Sequence, residues 1–127
     1  MVSEGNYSVL LVDDDPHICE IFELVMKHHH MPFMVTTDGE TALNYLRTNS
    51  PDIVIMDIFL PGIDGFQALK SIRKEAQSPK CRVIATTAYY TNDTQQEVLQ
   101  RGFDGYIPKP FGPEALMNYL ADMASGL

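Results

Sequence analysis

Five short runs of the chain are apolar at nearly every position: "SVLLV" (8–12), "FMVTT" (33–37), "DIVIM" (52–56), "RVIATT" (82–87) and "GYIP" (105–108). Continuous apolarity, rather than alternation, suits parallel strands covered on both faces. Between these runs the apolar residues take helical spacing. In the first helical segment Pro16 stands at a first-turn position behind Asp15 as N-cap, and Ile18, Ile21, Phe22 and Val25 share a face. Asp38 caps a second, burying Ala42, Leu43 and Leu46, and Asp64 caps a third with Phe66, Leu69 and Ile72 inward. The fourth follows Thr91–Asn92, carries Val98 and Leu99 and stops at Gly102, a C′ residue. The fifth starts at Gly112–Pro113 and shows Leu116, Tyr119, Leu120 and Met123 on one face, running nearly to Leu127. Strict strand–helix alternation predicts an α/β fold, a parallel sheet with helices on both faces and right-handed crossovers. No linker, repeat or low-complexity tract divides it, so residues 1–127 read as one domain.

Composition narrows the function. The chain has 127 residues, enough for a core without disulfides or structural metal. A net charge of −8 argues against nucleic-acid or anionic-membrane binding and suits a cation or a basic partner surface. No apolar run reaches the ~18 residues of a membrane span, and "MVSEGNYS" lacks the regions of a secretory signal. Cys19 and Cys81 have no metal or disulfide spacing and read as reduced, partly buried thiols of a cytoplasmic protein. The run His28–His30 ends the first helix, where cationic imidazoles suit the dipole better than they suit a metal.

The chemistry gathers at one edge. In such a sheet ligands bind beyond the carboxyl ends of the strands. Asp13 and Asp14 follow the first strand, Asp57 follows the third, Thr87 closes the fourth and Lys109 follows the fifth. Two carboxylates about 4 Å apart repel by roughly 4 kcal/mol at an effective dielectric near 20. Stacked aspartates therefore need a positive partner.

Four segments, "LLVDDDP", "PDIVIMDIFLPGIDG", "IATTA" and "GYIPKPF", are similar in order and spacing to the receiver domain of bacterial response regulators, the CheY-like module of two-component signalling. The likeness covers almost the whole chain. It implies a flavodoxin-like (βα)5 fold with strand order 2-1-3-4-5. With strands about 4.8 Å apart, Asp13, Asp14 and Thr87 then lie one spacing from Asp57, and Lys109 lies two, a gap for a long side chain.

The resemblance further implies a mechanism. Asp14, Asp57 and the backbone carbonyl of Phe59 ligate Mg²⁺, with Asp13 acting through water; Mg²⁺ prefers such hard oxygen donors. Asp57 is the phosphoacceptor, attacking phosphorus to form an acyl phosphate. The metal and Lys109 neutralise charge on the transferring group, and Thr87 donates to a phosphoryl oxygen. Thr87 then draws in the strand-four loop, and Tyr106 changes rotamer, altering the face of fourth helix, fifth strand and fifth helix. The Lys109–Pro110 bond matches a position that is cis in the family. The expected phosphodonor is a sensor histidine kinase or phosphotransfer protein. The expected output is a downstream protein or a domain outside this chain, with dimerisation through that same face. The chain is not an enzyme toward external substrates; it catalyses only its own phosphorylation and dephosphorylation.

Some residues depart from the pattern. Phe59 and Tyr89 place bulky rings two positions beyond Asp57 and Thr87, an expected influence on phosphoryl lifetime. Met31–Pro32 stands where relatives carry glycine, and Phe103 where a small residue is usual. Thr86 is the rival to Thr87, and a simple switch role for Tyr106 competes with core packing. Among other functions, an Mg²⁺-dependent phosphohydrolase acting through an aspartyl phosphate is the alternative. Haloacid-dehalogenase-type enzymes carry a second Asp two positions after the nucleophile, where this chain has Phe59. A flavin or nucleotide carrier would need a phosphate-cradling loop after the first strand, and three carboxylates repel phosphate. A phosphorylation-independent scaffold leaves a complete site without use.

Overall fold

A computed structural model describes residues 7–125. Most of the stretch read for a signal, residues 1–6, and the last two positions of the predicted fifth helix, lie outside them. The chain runs β1 (Val9–Val12), α1 (Pro16–His28), β2 (Phe33–Thr36), α2 (Gly39–Thr48), β3 (Ile53–Asp57), α3 (Gly65–Glu75), β4 (Arg82–Thr87), α4 (Thr94–Gln100), β5 (Gly105–Pro108) and α5 (Pro113–Ala124). All five strands are parallel, in the order β2-β1-β3-β4-β5. This is the flavodoxin-like α/β fold, as expected.

Strand parity builds two cores. Val9, Leu11, Ile53, Ile55, Ile84 and Ile107 pack against Ile18, Phe22, Leu116 and Leu120 from α1 and α5. Leu10, Val12, Val54, Met56, Val83, Ala85 and Tyr106 pack against Leu43, Leu46, Leu69, Ile72 and Val98 from α2, α3 and α4. Successive side chains point to opposite faces, so strands apolar throughout are buried twice over.

The caps follow the sequence. Asp15 accepts from His17 N, Asp38 accepts from Thr41 N, and Asp64 forms a capping box with Gln67. Gly102 follows α4 at φ 107°, the left-handed C′ conformation. The turn after α1 is made without glycine. His30 takes φ 54°, and Met31 tucks into the core with its N–H on Met26 O.

One expectation changes. Asp57 closes β3 rather than following it, which fixes its backbone in the ladder opposite Thr86. On α4, Leu99 is 43% exposed. The two-turn α4 buries Thr94 and Val98, four apart, and Leu99 lies a further 100° round the helix.

Candidate functional site

The carboxyl edge of the sheet brings the expected residues together. Asp13, directly after β1, is fully buried, while Asp14 beside it is exposed. Asp57 is 6% exposed at the end of β3. One carboxylate oxygen from each of these three lies within 4.8 Å of the others. Among the described residues this is the one cluster of metal-ligating side chains, and the His28–His30 run forms none. Its donors are all oxygens and one member opens to solvent, a set that fits a hard divalent cation.

Lys109 supplies the fixed positive charge. Its backbone N–H donates to Thr87 O, and the Lys109–Pro110 peptide after it is cis, as the resemblance implied. Its ammonium lies 2.8 Å from Asp13 Oδ2 and 2.8 Å from Asp57 Oδ2. Burial acts to lower the Lys109 pKa, but the hydrogen bonds and charges of Asp13 and Asp57 outweigh it and the net shift is upward. For Asp13 burial dominates and pushes its carboxyl above the usual range, against the opposing pull of Lys109 and the Asp15 amide.

Local turns aim the remaining groups. Asp57 Oδ1 accepts from Phe59 N at 2.9 Å, folding the chain back over the strand end. Gly65 makes this turn possible: its N–H donates to Ile58 O, and a Cβ there would sit 2.6 Å from Ile58 Cα and 2.9 Å from Asp57 O. Thr87 Oγ1 accepts from Tyr89 N at 3.0 Å, which leaves its own proton free to donate. Thr86, buried and in register with Asp57, has a hydroxyl without a hydrogen-bond partner.

Phe59 and Tyr89 do flank the site. Their rings meet edge to face with centroids 5.8 Å apart, while remaining 56% and 79% exposed. Tyr106 lies inward, 9% exposed, in the core beneath α4. Phe103 is buried with its ring edge-to-face with Phe66, and the Arg101 guanidinium lies over the Phe66 ring, 3.5 Å from its centroid. Cys19 is half-buried with its thiol on Asp13 O, and Cys81 is buried; both are free.

Two contacts escaped the sequence reading. Asp104 accepts from Val83 N and pairs with Arg73, tying β5 to β4 and α3. Tyr119 reaches the backbone of Tyr106. Both run between segments distant in sequence, and neither carries a local motif.

A doubly wound sheet with an acid cluster and a lysine at its carboxyl edge defines a class of signalling switch domains. The response regulator receiver domain family model matches residues 9–121. The chain is 35% identical over 106 residues to response regulator GtcR of Aneurinibacillus migulanus, covering 84% of this chain. It spans only 43% of the GtcR chain. Chemotaxis response regulator CheY4 of Vibrio cholerae superposes with a TM-score of 0.84 at 26% identity, covering 92% of this chain and 98% of that one. The receiver domain of sensor histidine kinase PA1611 from Pseudomonas aeruginosa, with a magnesium ion coordinated in its active-site cleft, gives 0.82 at 27% identity, covering 92% and 96%. The chain belongs to the response regulator receiver domain family, and is a receiver domain of two-component signalling. Receiver domains are generally non-enzymatic signalling modules, and their acidic pocket typically binds Mg²⁺. No helix among the described residues is long and apolar enough to cross a membrane.

Proposed function

We propose that residues 1–127 act as one phosphorylation switch, accepting a phosphoryl group on Asp57 from a sensor histidine kinase or phosphotransfer protein. The observation that carries this reading is the Lys109 ammonium held 2.8 Å from both Asp13 and Asp57, within an oxygen cluster that suits a cation.

Asp14, Asp57 and the Phe59 carbonyl would hold Mg²⁺, with Asp13 acting through water, and the bound ion supplies charge neutralisation for phosphoryl transfer. An Asp57 oxygen attacks phosphorus, the bond from phosphorus to the donor nitrogen breaks, and its electron pair leaves with the donor imidazole. Lys109 faces the Asp57 carboxylate and so meets the phosphoryl oxygens as they arrive. Thr87 donates its free proton to one of them. Beside Lys109 a cleft of about 280 Å³, lined by Asp15, His17, Ile18, Ile21, Ala88 and Pro110, offers a seat for the phosphodonor.

Output follows from Thr87 and Tyr106. Drawing Thr87 toward the phosphoryl group moves the loop from Ala88 to Asp93, and Tyr106 changes seat beneath it. The α4–β5–α5 face then differs for a downstream protein, an output domain outside this chain or a second copy. The acidic charge supports neither nucleic-acid nor anionic-membrane binding by this domain, and a cytoplasmic setting suits its free thiols. The alternative, phosphohydrolase turnover of external substrates, lacks a general acid, because position 59 is a phenylalanine.

The test is incubation with Mg²⁺ and acetyl phosphate, read by intact mass. One phosphoryl group is expected on the wild type, and none without metal or in Asp57→Asn. Uptake that persists in Asp57→Asn would remove the assignment.

A further inference from the structure

The Tyr119 hydroxyl, on α5, accepts a hydrogen bond from the backbone N–H of Tyr106 at 2.6 Å. Gly105 makes room for it. A Cβ at 105 would collide with that hydroxyl and would lie 3.3 Å from the Met123 thioether. The tip of the Tyr119 ring thus occupies the space that a side chain on β5 would fill, a close approach that only glycine permits.

The residue held this way is itself poised. The Tyr106 side chain lies among Val98, Ala85 and Val83 in the α4-side core, yet its hydroxyl is buried without a hydrogen-bond partner. Burying the ring favours the inward seat, and the orphaned hydroxyl disfavours it. The two influences oppose each other at the side chain, while its backbone is fixed from the other face of the sheet.

We infer that Tyr119 is a positioning residue for Tyr106: its hydroxyl pins the backbone at 106 while the side chain changes seat, and ties that change to α5. The inference rests on the reading of the domain as a phosphorylation switch. With the amide pinned, movement of the ring becomes rotation about its own side-chain bonds instead of slippage of β5, the edge strand. Tyr119 is only half-buried, so a partner docked on α5 touches the ring that carries the pin. Coupling of this kind is reciprocal: what docks on α5 alters the balance at Tyr106, and the state of Tyr106 alters docking.

Tyr119→Phe keeps the ring and removes the hydroxyl. The readouts are the Tyr106 amide resonance, its hydrogen-exchange rate and the Tyr106 ring signals, with and without Mg²⁺ and acetyl phosphate. In Tyr119→Phe we expect the Tyr106 amide to shift and to exchange at least about tenfold faster. Phosphoryl uptake on Asp57 stays unchanged. The Tyr106 ring signals of the unphosphorylated variant move part-way toward those of the phosphorylated wild type. Gly105→Ala, which displaces the hydroxyl from the opposite side, should reproduce the amide and ring changes. An unchanged Tyr106 amide in Tyr119→Phe, Tyr106 ring signals that stay as in the unphosphorylated wild type, or faster exchange spread evenly over the sheet, overturns the inference. Failure of the switch reading shows separately, in the wild type alone, as Tyr106 ring signals that ignore phosphorylation.

Discussion

The Lys109 ammonium lies 2.8 Å from Asp57 Oδ2, although their strands are separated by β4. The side chain spans two strand spacings, about 10 Å, and ends between two buried carboxylates. Removing one partner of a buried pair leaves uncompensated charge. We therefore expect Lys109→Met to lose about 3 kcal/mol of stability, because Asp13 and Asp57 are left facing each other. Added Mg²⁺ should restore more of this loss than it adds to the wild type. Thermal unfolding with and without Mg²⁺ checks both statements, and a Lys109→Met domain as stable as the wild type would contradict them.

Asp14 is exposed and makes no structural contact of the kind Asp13 makes with the Asp15 amide. Asp14→Asn should leave stability within about 0.5 kcal/mol of the wild type. Its Mg²⁺ affinity, measured by calorimetry, should weaken at least tenfold, about the scale of losing a supporting group at a metal site. Unaltered affinity would move the metal away from Asp14.

Phe59 and Tyr89 form an edge-to-face pair over the mouth of the site while largely exposed. Such a pair contributes about 1 kcal/mol, so its main consequence is steric. Replacing both, as Phe59→Ser with Tyr89→Ala, should admit water more readily and shorten the phosphoryl lifetime several-fold with little change in melting temperature. Decay of the labelled mass after removal of acetyl phosphate measures this. A lifetime that lengthens would show that the rings admit water rather than exclude it.

Asp38 accepts hydrogen bonds from the backbone and hydroxyl of Thr41, and these hold its carboxyl below the usual aspartate range. A depressed pKa means that the cap stabilises fully above the unfolded value of about 3.9 and is lost as pH falls through the lower folded value. Asp38→Asn keeps a capping side chain without titrating. Its acid unfolding profile should be flatter than that of the wild type below about pH 4. Identical profiles would show that the cap does not titrate on folding.

Strand parity, caps and the carboxyl-edge acids were legible because each is local or periodic: "LLVDDDP" shows strand, cluster and cap in seven residues. Lys109 was legible from its place after the fifth strand combined with the sheet order that the resemblance implies. Tyr119 was read as core, since its ring does pack there; only the three-dimensional approach to Gly105 gives its hydroxyl a partner. The orphaned hydroxyls of Thr86 and Tyr106 likewise have no signature in sequence, because an absent partner is a property of the packed interior.

The most direct measurement is to locate the phosphoryl group by trapping it. After incubation with acetyl phosphate and Mg²⁺, borohydride reduces an acyl phosphate on aspartate to homoserine, which peptide mass mapping assigns to a residue. Homoserine at position 57, with Asp13, Asp14 and Asp15 unaltered, is the expected result. Reduction at one of those three aspartates, or none in a protein whose mass shows uptake, would contradict the central claim.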